Sequence, residues 1–331
     1  IRTDDGAWGC SELRHSSWDW FDHAADVAEA LRGRDPSDID GIFDDLYPRF
    51  PLHAATLVDI ALWDLAGRAE GRPVHALLGT VRDRIPAYRS TPFNVDGPAD
   101  YAEFALQAKE RGFRGCKIHP THNGFWDERT GGDVDMDLAI YGAVRQAVGP
   151  DWHLMTDPYH TYDYEQALRV GRILDELNFR WYESPMHEGM DWVERYAKLC
   201  HAIETPVCAP ECQEGAADVR REWIERGATD MGRTDIYYGG LTGCLRLVRA
   251  CEEAGIQLDL HLGNAYQLQV VGATSEDVYP LYEQYWWYEN PAIVEGPNPP
   301  EIDDEGYAHV PQGVGMGLEP DWDYIESNLM D

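Results

Sequence analysis

From Ile85 onward the chain alternates short apolar runs with amphipathic segments, seven times or nearly so. The runs are IPAYRS, FRGCKIH, WHLMTD, FRWYES, PVCAPE, DIYY and IQLDLH. Between them lie segments such as PADYAEFALQAKERG, LAIYGAVRQAVG, YEQALRVGRILDELN and GCLRLVRACEEAG, with apolar residues at helical spacing. Strand and helix alternating in this way is the pattern of an α/β chain with a parallel sheet, and at this repeat number a closed sheet suits it better than an open one. Before Ile85 the rhythm differs. SSWDWFDHAADVAEALRG reads as a helix capped by a serine, and ATLVDIALWDLAGRAEG reads as a helix stopped by Gly71 with Pro73 beyond it.

Several runs end on a lone polar residue. Asp157 ends LMTDP, Glu183 lies in RWYESP and Glu211 closes VCAPE, at steps of 26 (183 − 157) and 28 (211 − 183) residues. If the runs are successive barrel strands, these carboxylates project from the C-terminal rim, where barrel enzymes place their chemistry. Three hard oxygen ligands with no Cys or His among them suit a Mg²⁺ ion that keeps its other positions for water or substrate. Glu214 competes with Glu211 for the third place, although Glu211 better fits the strand end. Lys117 and His119 lie in KIH, Asp235 precedes IYYGG, His261 closes LDLH, and Glu283 stands in LYEQYW. An Asp and a His on adjacent strand ends can form a dyad in which the carboxylate orients the imidazole as a base. Taken singly, each of these residues is as well explained as a helix cap, a loop residue or a satisfied core group. His122, His160, His187 and Tyr159 lie just past strand ends, and Tyr285, Trp286, Trp287 and Tyr288 read as core of the last strand.

The ordered set resembles the mandelate racemase subgroup of the enolase superfamily, from about Glu12 to Leu318. It comprises the ALWDLAG helix, Lys117-x-His119, Asp157, Glu183, Glu211, Asp235 before GGLTG, His261 and Glu283. The resemblance implies a modified TIM barrel, (β/α)7β, carrying an N-terminal α+β capping domain. Residues 1–80 would be that cap, apparently without its first strand. Residues 81–295 would form the barrel, and 296–331 a C-terminal segment packing back on the cap. Mg²⁺ would be held by Asp157, Glu183 and Glu211, and His261 with Asp235 would take the α-proton of a carboxylate substrate to give an enediolate. Glu283, in its protonated form, would hydrogen-bond the substrate. Lys117 matches the first lysine of the subgroup's usual Lys-x-Lys, and His119 replaces the second. An imidazole titrates well below an ammonium, so a histidine there can serve as a base without strong desolvation, or as a neutral donor. A second departure is that the Gly239-Gly240 pair follows Asp235 one residue sooner than is usual.

The expected reaction is dehydration of an acid sugar to a 2-keto-3-deoxy acid. Racemisation or epimerisation of a 2-hydroxy acid between His119 and His261 is the alternative, and a non-catalytic sugar-acid binding protein a further one. The resemblance also implies a homo-oligomer. With 60 acidic against 27 basic residues and a net charge of −33, the chain lacks the clustered cations a nucleic acid requires. No apolar run is long enough to span a membrane. Seven cysteines without paired spacing lead us to expect reduced thiols in the cytoplasm rather than a zinc site.

Overall fold

The computed structural model describes residues 1–12, 19–93, 95–120, 133–213, 215–261, 263–285, 300 and 302–327. Ser16 and Ser17 of the expected helix cap, His122, Glu214, Trp286, Trp287 and Tyr288 lie outside the described residues.

Eight parallel strands make a nearly closed barrel. They are β1 Arg84–Ser90, β2 Gly115–Ile118, β3 His153–Thr156, β4 Trp181–Glu183, β5 Val207–Cys208, β6 Met231–Asp235, β7 Gln257–His261 and β8 Tyr282–Gln284. The spatial order is β7-β6-β5-β4-β3-β2-β1-β8, so the first and last strands pair, Ala87 opposite Tyr282. A short strand, β9 (Tyr307–His309), lies antiparallel on the lower part of β1. The helices preceding the barrel are α1 Asp19–Leu31, α2 Ile39–Leu46, α3 Leu52–Glu70 and α4 Val74–Leu78. Between the strands run α5 Pro98–Glu110, α6 Val134–Val148, α7 Tyr164–Glu176, α8 Val193–Ala202, α9 Ala216–Glu225, α10 Gly240–Ala254 and α11 Ala265–Gly272; α12 Trp322–Ser327 comes last. None of the helices among the described residues is long and apolar enough to cross a membrane.

One expected strand is displaced. DIYY is not β6; the strand is MGRTD, and Ile236–Tyr238 form a 3-10 turn. Asp235 ends the strand because its side chain accepts the Tyr237 N–H at 2.9 Å, turning the chain out of the sheet. Gly239 and Gly240 then adopt positive φ (147° and 63°) to start α10. At Gly240 a Cβ would also lie 2.2 Å from Asp59 Oδ2. That carboxylate, on α3, accepts the Thr242 N–H at 3.0 Å, and Trp63 donates to the Thr242 hydroxyl at 3.0 Å, so α3 is fastened to the start of α10.

Tyr88, Met155, Trp181, Cys208, Met231 and Leu281 fill the inside of the barrel below the rim. Between barrel and helices lie two larger apolar layers, and a fourth cluster joins α1, α2 and α3. Buried Asp64 on α3 accepts the N–H groups of Cys10 at 3.0 Å and Met316 at 2.8 Å, while Arg68 donates to the Leu318 carbonyl at 2.7 Å. Both ends of the described chain thus meet on α3.

At the seam between β7 and β8 the backbones come close at Gly263, where a Cβ would lie 1.9 Å from the Glu283 carbonyl and 2.3 Å from the Tyr282 ring. Neither neighbour can swing aside without moving β8. Gly263→Ala is therefore expected to cost about 3 kcal/mol of stability, the upper range for forcing extra atoms into a packed interior. Denaturant unfolding of the two proteins measures it, and a change below about 1 kcal/mol would show that the seam yields.

Candidate active site

Side chains on a strand alternate, so residues two apart share a face. That alternation aims a second polar group from several strands into the barrel. Lys117 and His119 leave the end of β2, Arg233 and Asp235 leave β6, Asp259 and His261 leave β7, and Glu283 and Tyr285 leave β8. In the β6–β7 register Arg233 lies opposite Asp259 and Asp235 opposite His261.

All eight residues singled out in the sequence come together at the rim. Asp157, Glu183 and Glu211 are buried, and their carboxylate oxygens lie within 4.8 Å of one another. Lys117 Nζ sits 3.0 Å from Glu183 and 2.7 Å from Glu283. His261 Nδ1 is 2.8 Å from Asp235 Oδ2 and 3.2 Å from Glu211 Oε1, and 20% of its side chain stays exposed. His119 Nδ1 faces the Thr91 carbonyl at 2.9 Å, and its Nε2 lies 3.5 Å from Asp157 Oδ2. The Tyr285 ring stands near both imidazoles, 5.9 Å from His119 and 6.1 Å from His261. Tyr285 thus belongs to the described site as well as to the core. His187 is exposed and edges against Trp192.

Arg233 and Asp259 escaped the sequence reading. Arg233 is fully buried. It contacts Glu183 at 2.6 Å, Glu283 at 3.2 Å and Glu211 at 3.4 Å, and pairs with Asp259, which also accepts the Tyr88 hydroxyl at 2.8 Å. The signal was present in GRTD and LDLH, two places before Asp235 and His261. Neither Arg233 nor Asp259 closes an apolar run, so hydropathy alone does not mark them.

These neighbours set the charges. Burial opposes ionisation of Glu283, but Lys117 and Arg233 outweigh it and hold its carboxyl well below the ordinary range. The chain's own groups around Glu283 thus favour its ionised form, through Lys117 and Arg233. Burial and Arg233 oppose the Lys117 ammonium, yet Glu183 and Glu283 raise its pKa above that of a free lysine. For His261, burial disfavours the cation while Glu211 and Asp235 favour it, and the net shift is upward. Burial pushes Glu183 well up despite Arg233 and Lys117, with the charges of Asp157 and Glu211 adding to the rise. Three crowded carboxylates, one of them resisting ionisation, are a donor set that a hard divalent cation would relieve and fit.

The enolase C-terminal domain-like family model matches residues 100–324, and the mandelate racemase / muconate lactonizing enzyme N-terminal domain model matches residues 1–79. The chain belongs to the enolase superfamily, in its mandelate racemase subgroup. Within that superfamily, the crystal structure of D-glucarate dehydratase from Agrobacterium tumefaciens complexed with magnesium superposes with a TM-score of 0.87. It shares 33% identity, covering 100% of this chain and 89% of that one. L-talarate/galactarate dehydratase of Salmonella typhimurium is 27% identical over 282 residues, covering 80% of this chain and 68% of the relative. D-galactarolactone cycloisomerase of Agrobacterium fabrum is 28% identical over 313 residues, 87% of this chain and 79% of the relative. Acid-sugar dehydratases are thus among the chain's relatives.

Proposed function

We propose that this chain dehydrates an acid sugar to a 2-keto-3-deoxy acid, using a Mg²⁺ ion held by Asp157, Glu183 and Glu211. The observation that carries the reading is the contact of dyad and triad: His261, oriented by Asp235, lies within 3.2 Å of Glu211. The imidazole and the three-carboxylate cluster therefore meet at one place, which supports reading them as base and cation site. Asp235 can only accept, so Nδ1 of His261 carries the proton of that bond and Nε2 keeps the lone pair needed for proton abstraction. Bound Mg²⁺ would supply positive charge beside the substrate carboxylate as the α-proton leaves. Lys117, kept as an ammonium, adds a second positive charge at the same rim.

The Thr91 carbonyl likewise fixes a proton on His119 Nδ1 and leaves Nε2 directed to the Asp157 side. We assign His119 to the departing hydroxyl. His261 takes the α-proton, the C–O bond at the β-carbon breaks, protonated His119 gives its proton to the leaving oxygen, and water departs. The resulting enol tautomerises to the 2-keto acid. Residues 1–80 would serve as the cap over the barrel mouth, and the seven free thiols suit a reducing, cytoplasmic setting.

Incubation with an acid-sugar library that includes glucarate and galactarate tests this, with 2-keto acid as the readout. Exhaustive chelation should abolish product formation and added Mg²⁺ restore it. Asp157→Asn should likewise lose activity with its unfolding midpoint nearly unchanged, because the ligand sits on the rim. Full activity after chelation would overturn the cation assignment.

The anchoring of both imidazoles at Nδ1 also favours a second reading, racemisation between the two faces. Exchange in deuterated water separates the two. Under dehydration wild type exchanges the α-proton in one stereochemical sense, and His119→Gln slows turnover without changing that sense. Exchange of both enantiomers by wild type, lost for one of them in His119→Gln, would establish racemisation.

A further inference from the structure

The three carboxylates stand at the ends of β3, β4 and β5, and a fourth carboxylate stands behind them. Glu188, in the loop after β4, is 3% exposed. Its Oε2 accepts the backbone N–H of Glu211 at 2.9 Å and that of Cys212 at 2.8 Å. Its Oε1 accepts the Ser184 hydroxyl at 2.6 Å. His160, in the loop after β3, places Nε2 3.2 Å from Glu188 Oε2, an ion-pair distance at an angle too poor for a hydrogen bond. The His160 N–H in turn donates to the Ser184 carbonyl at 2.8 Å. One side chain therefore joins the loops that follow β3, β4 and β5, at whose starts Asp157, Glu183 and Glu211 stand.

The backbone of these loops requires such a tie. Tyr159, His160 and Ser184 have φ of 48°, 61° and 39°. Residues with a Cβ hold that left-handed conformation only where their surroundings enforce it. Tyr159 N–H also donates to Asp157 Oδ1 at 2.9 Å, so the strained turn after β3 connects directly to the first carboxylate of the triad.

His160, Glu188 and Cys212 also bring possible ligand atoms within 4.8 Å of one another. The hydrogen bonds argue against a second cation there. Both Glu188 oxygens already accept donors, and the two backbone N–H groups on Oε2 cannot turn away without moving the Glu211 loop. The arrangement fits a clamp better than a ligand.

We propose that Glu188 is a positioning residue that sets the geometry of the divalent-cation site by holding the Glu211 loop against the loops of Asp157 and Glu183. The inference rests on reading those three carboxylates as cation ligands. Groups that orient ligands from behind change metal affinity about 10- to 100-fold when removed.

The test is Mg²⁺ affinity, measured calorimetrically on the full chain without substrate. Glu188→Ala should raise Kd about 10- to 100-fold. Glu188→Gln, whose amide oxygen can still accept the two backbone N–H groups, should recover most of that loss. Glu194→Ala, at an exposed ion pair on α8, should match wild type. Should the alanine variant not fold, Glu188→Asp carries the same expectation, since it draws the carboxylate back by one methylene. A folded Ala or Asp variant that melts earlier yet binds Mg²⁺ with wild-type Kd overturns the proposal, showing that Glu188 serves stability alone. A wild-type chain without saturable Mg²⁺ binding overturns the cation-site reading itself and removes the proposal with it.

Discussion

His261→Asn is expected to lower α-proton exchange by about 10²- to 10⁴-fold, the span that a positioned base contributes. Asparagine keeps the polarity and much of the volume at the end of β7 but has no basic lone pair. Asp235→Asn should lose much of the rate as well. With its oxygen kept on the Tyr237 N–H, the asparagine turns its amide nitrogen, a donor, toward Nδ1, and one of the charges that raises the pKa of His261 is gone. The sign of the pH effect follows. The base acts deprotonated and the Asp235 charge favours its cation, so exchange rises with pH and Asp235→Asn should shift that limb toward lower pH. Deuterium incorporation followed by NMR across pH gives both results. Wild-type exchange in His261→Asn would transfer the role of base to another residue, His119 first.

Arg233→Met is expected to be the most damaging single change to stability, at about 3–5 kcal/mol, the cost of breaking a buried charge network by removing one partner. The loss exceeds one ion pair because Arg233 faces Glu183, Glu211, Asp259 and Glu283 together. Adding Asp259→Asn should recover part of it, since one of the stranded charges is then gone; contacting groups of this kind couple by about 0.5–3 kcal/mol. Chemical denaturation of the two single variants and the double variant checks this. A double variant no more stable than Arg233→Met would mean that Asp259 is satisfied without the arginine, by Tyr88 alone.

What could be read in advance followed from periodicity. Run ends marked Asp157, Glu183, Glu211, His261 and Glu283, because a parallel strand buried on both faces is apolar until the chain leaves the sheet. β6 broke that rule. Its inward residues are Arg233 and Asp235, so hydropathy moved the strand to DIYY, where the chain has already turned. The ionisation of Glu283 was likewise illegible, because it depends on Lys117 and Arg233 arriving from strands far away in sequence. Glu188 and the left-handed turns at Tyr159, His160 and Ser184 carry no local signature, since nothing in ESPMHEG says which backbone N–H groups its glutamate will meet. The fastening of α3 to the barrel was visible only in part. The glycine pair before α10 could be seen, but not the carboxylate of Asp59 that makes Gly240 obligatory.

The pairing of β1 with β8 has a kinetic meaning. Ala87 and Tyr282 pair although they lie 195 residues apart in sequence (282 − 87), and such non-local parallel contacts form slowly. Glu283 rides on that last strand, so Lys117 and Arg233 gain one of their carboxylate partners only when the ring of strands is completed. Until then the interior lacks part of the charge balance that makes it tolerable to bury. Recovery of the site during refolding should consequently lag behind recovery of helix content, and its appearance would time the docking of the final strand.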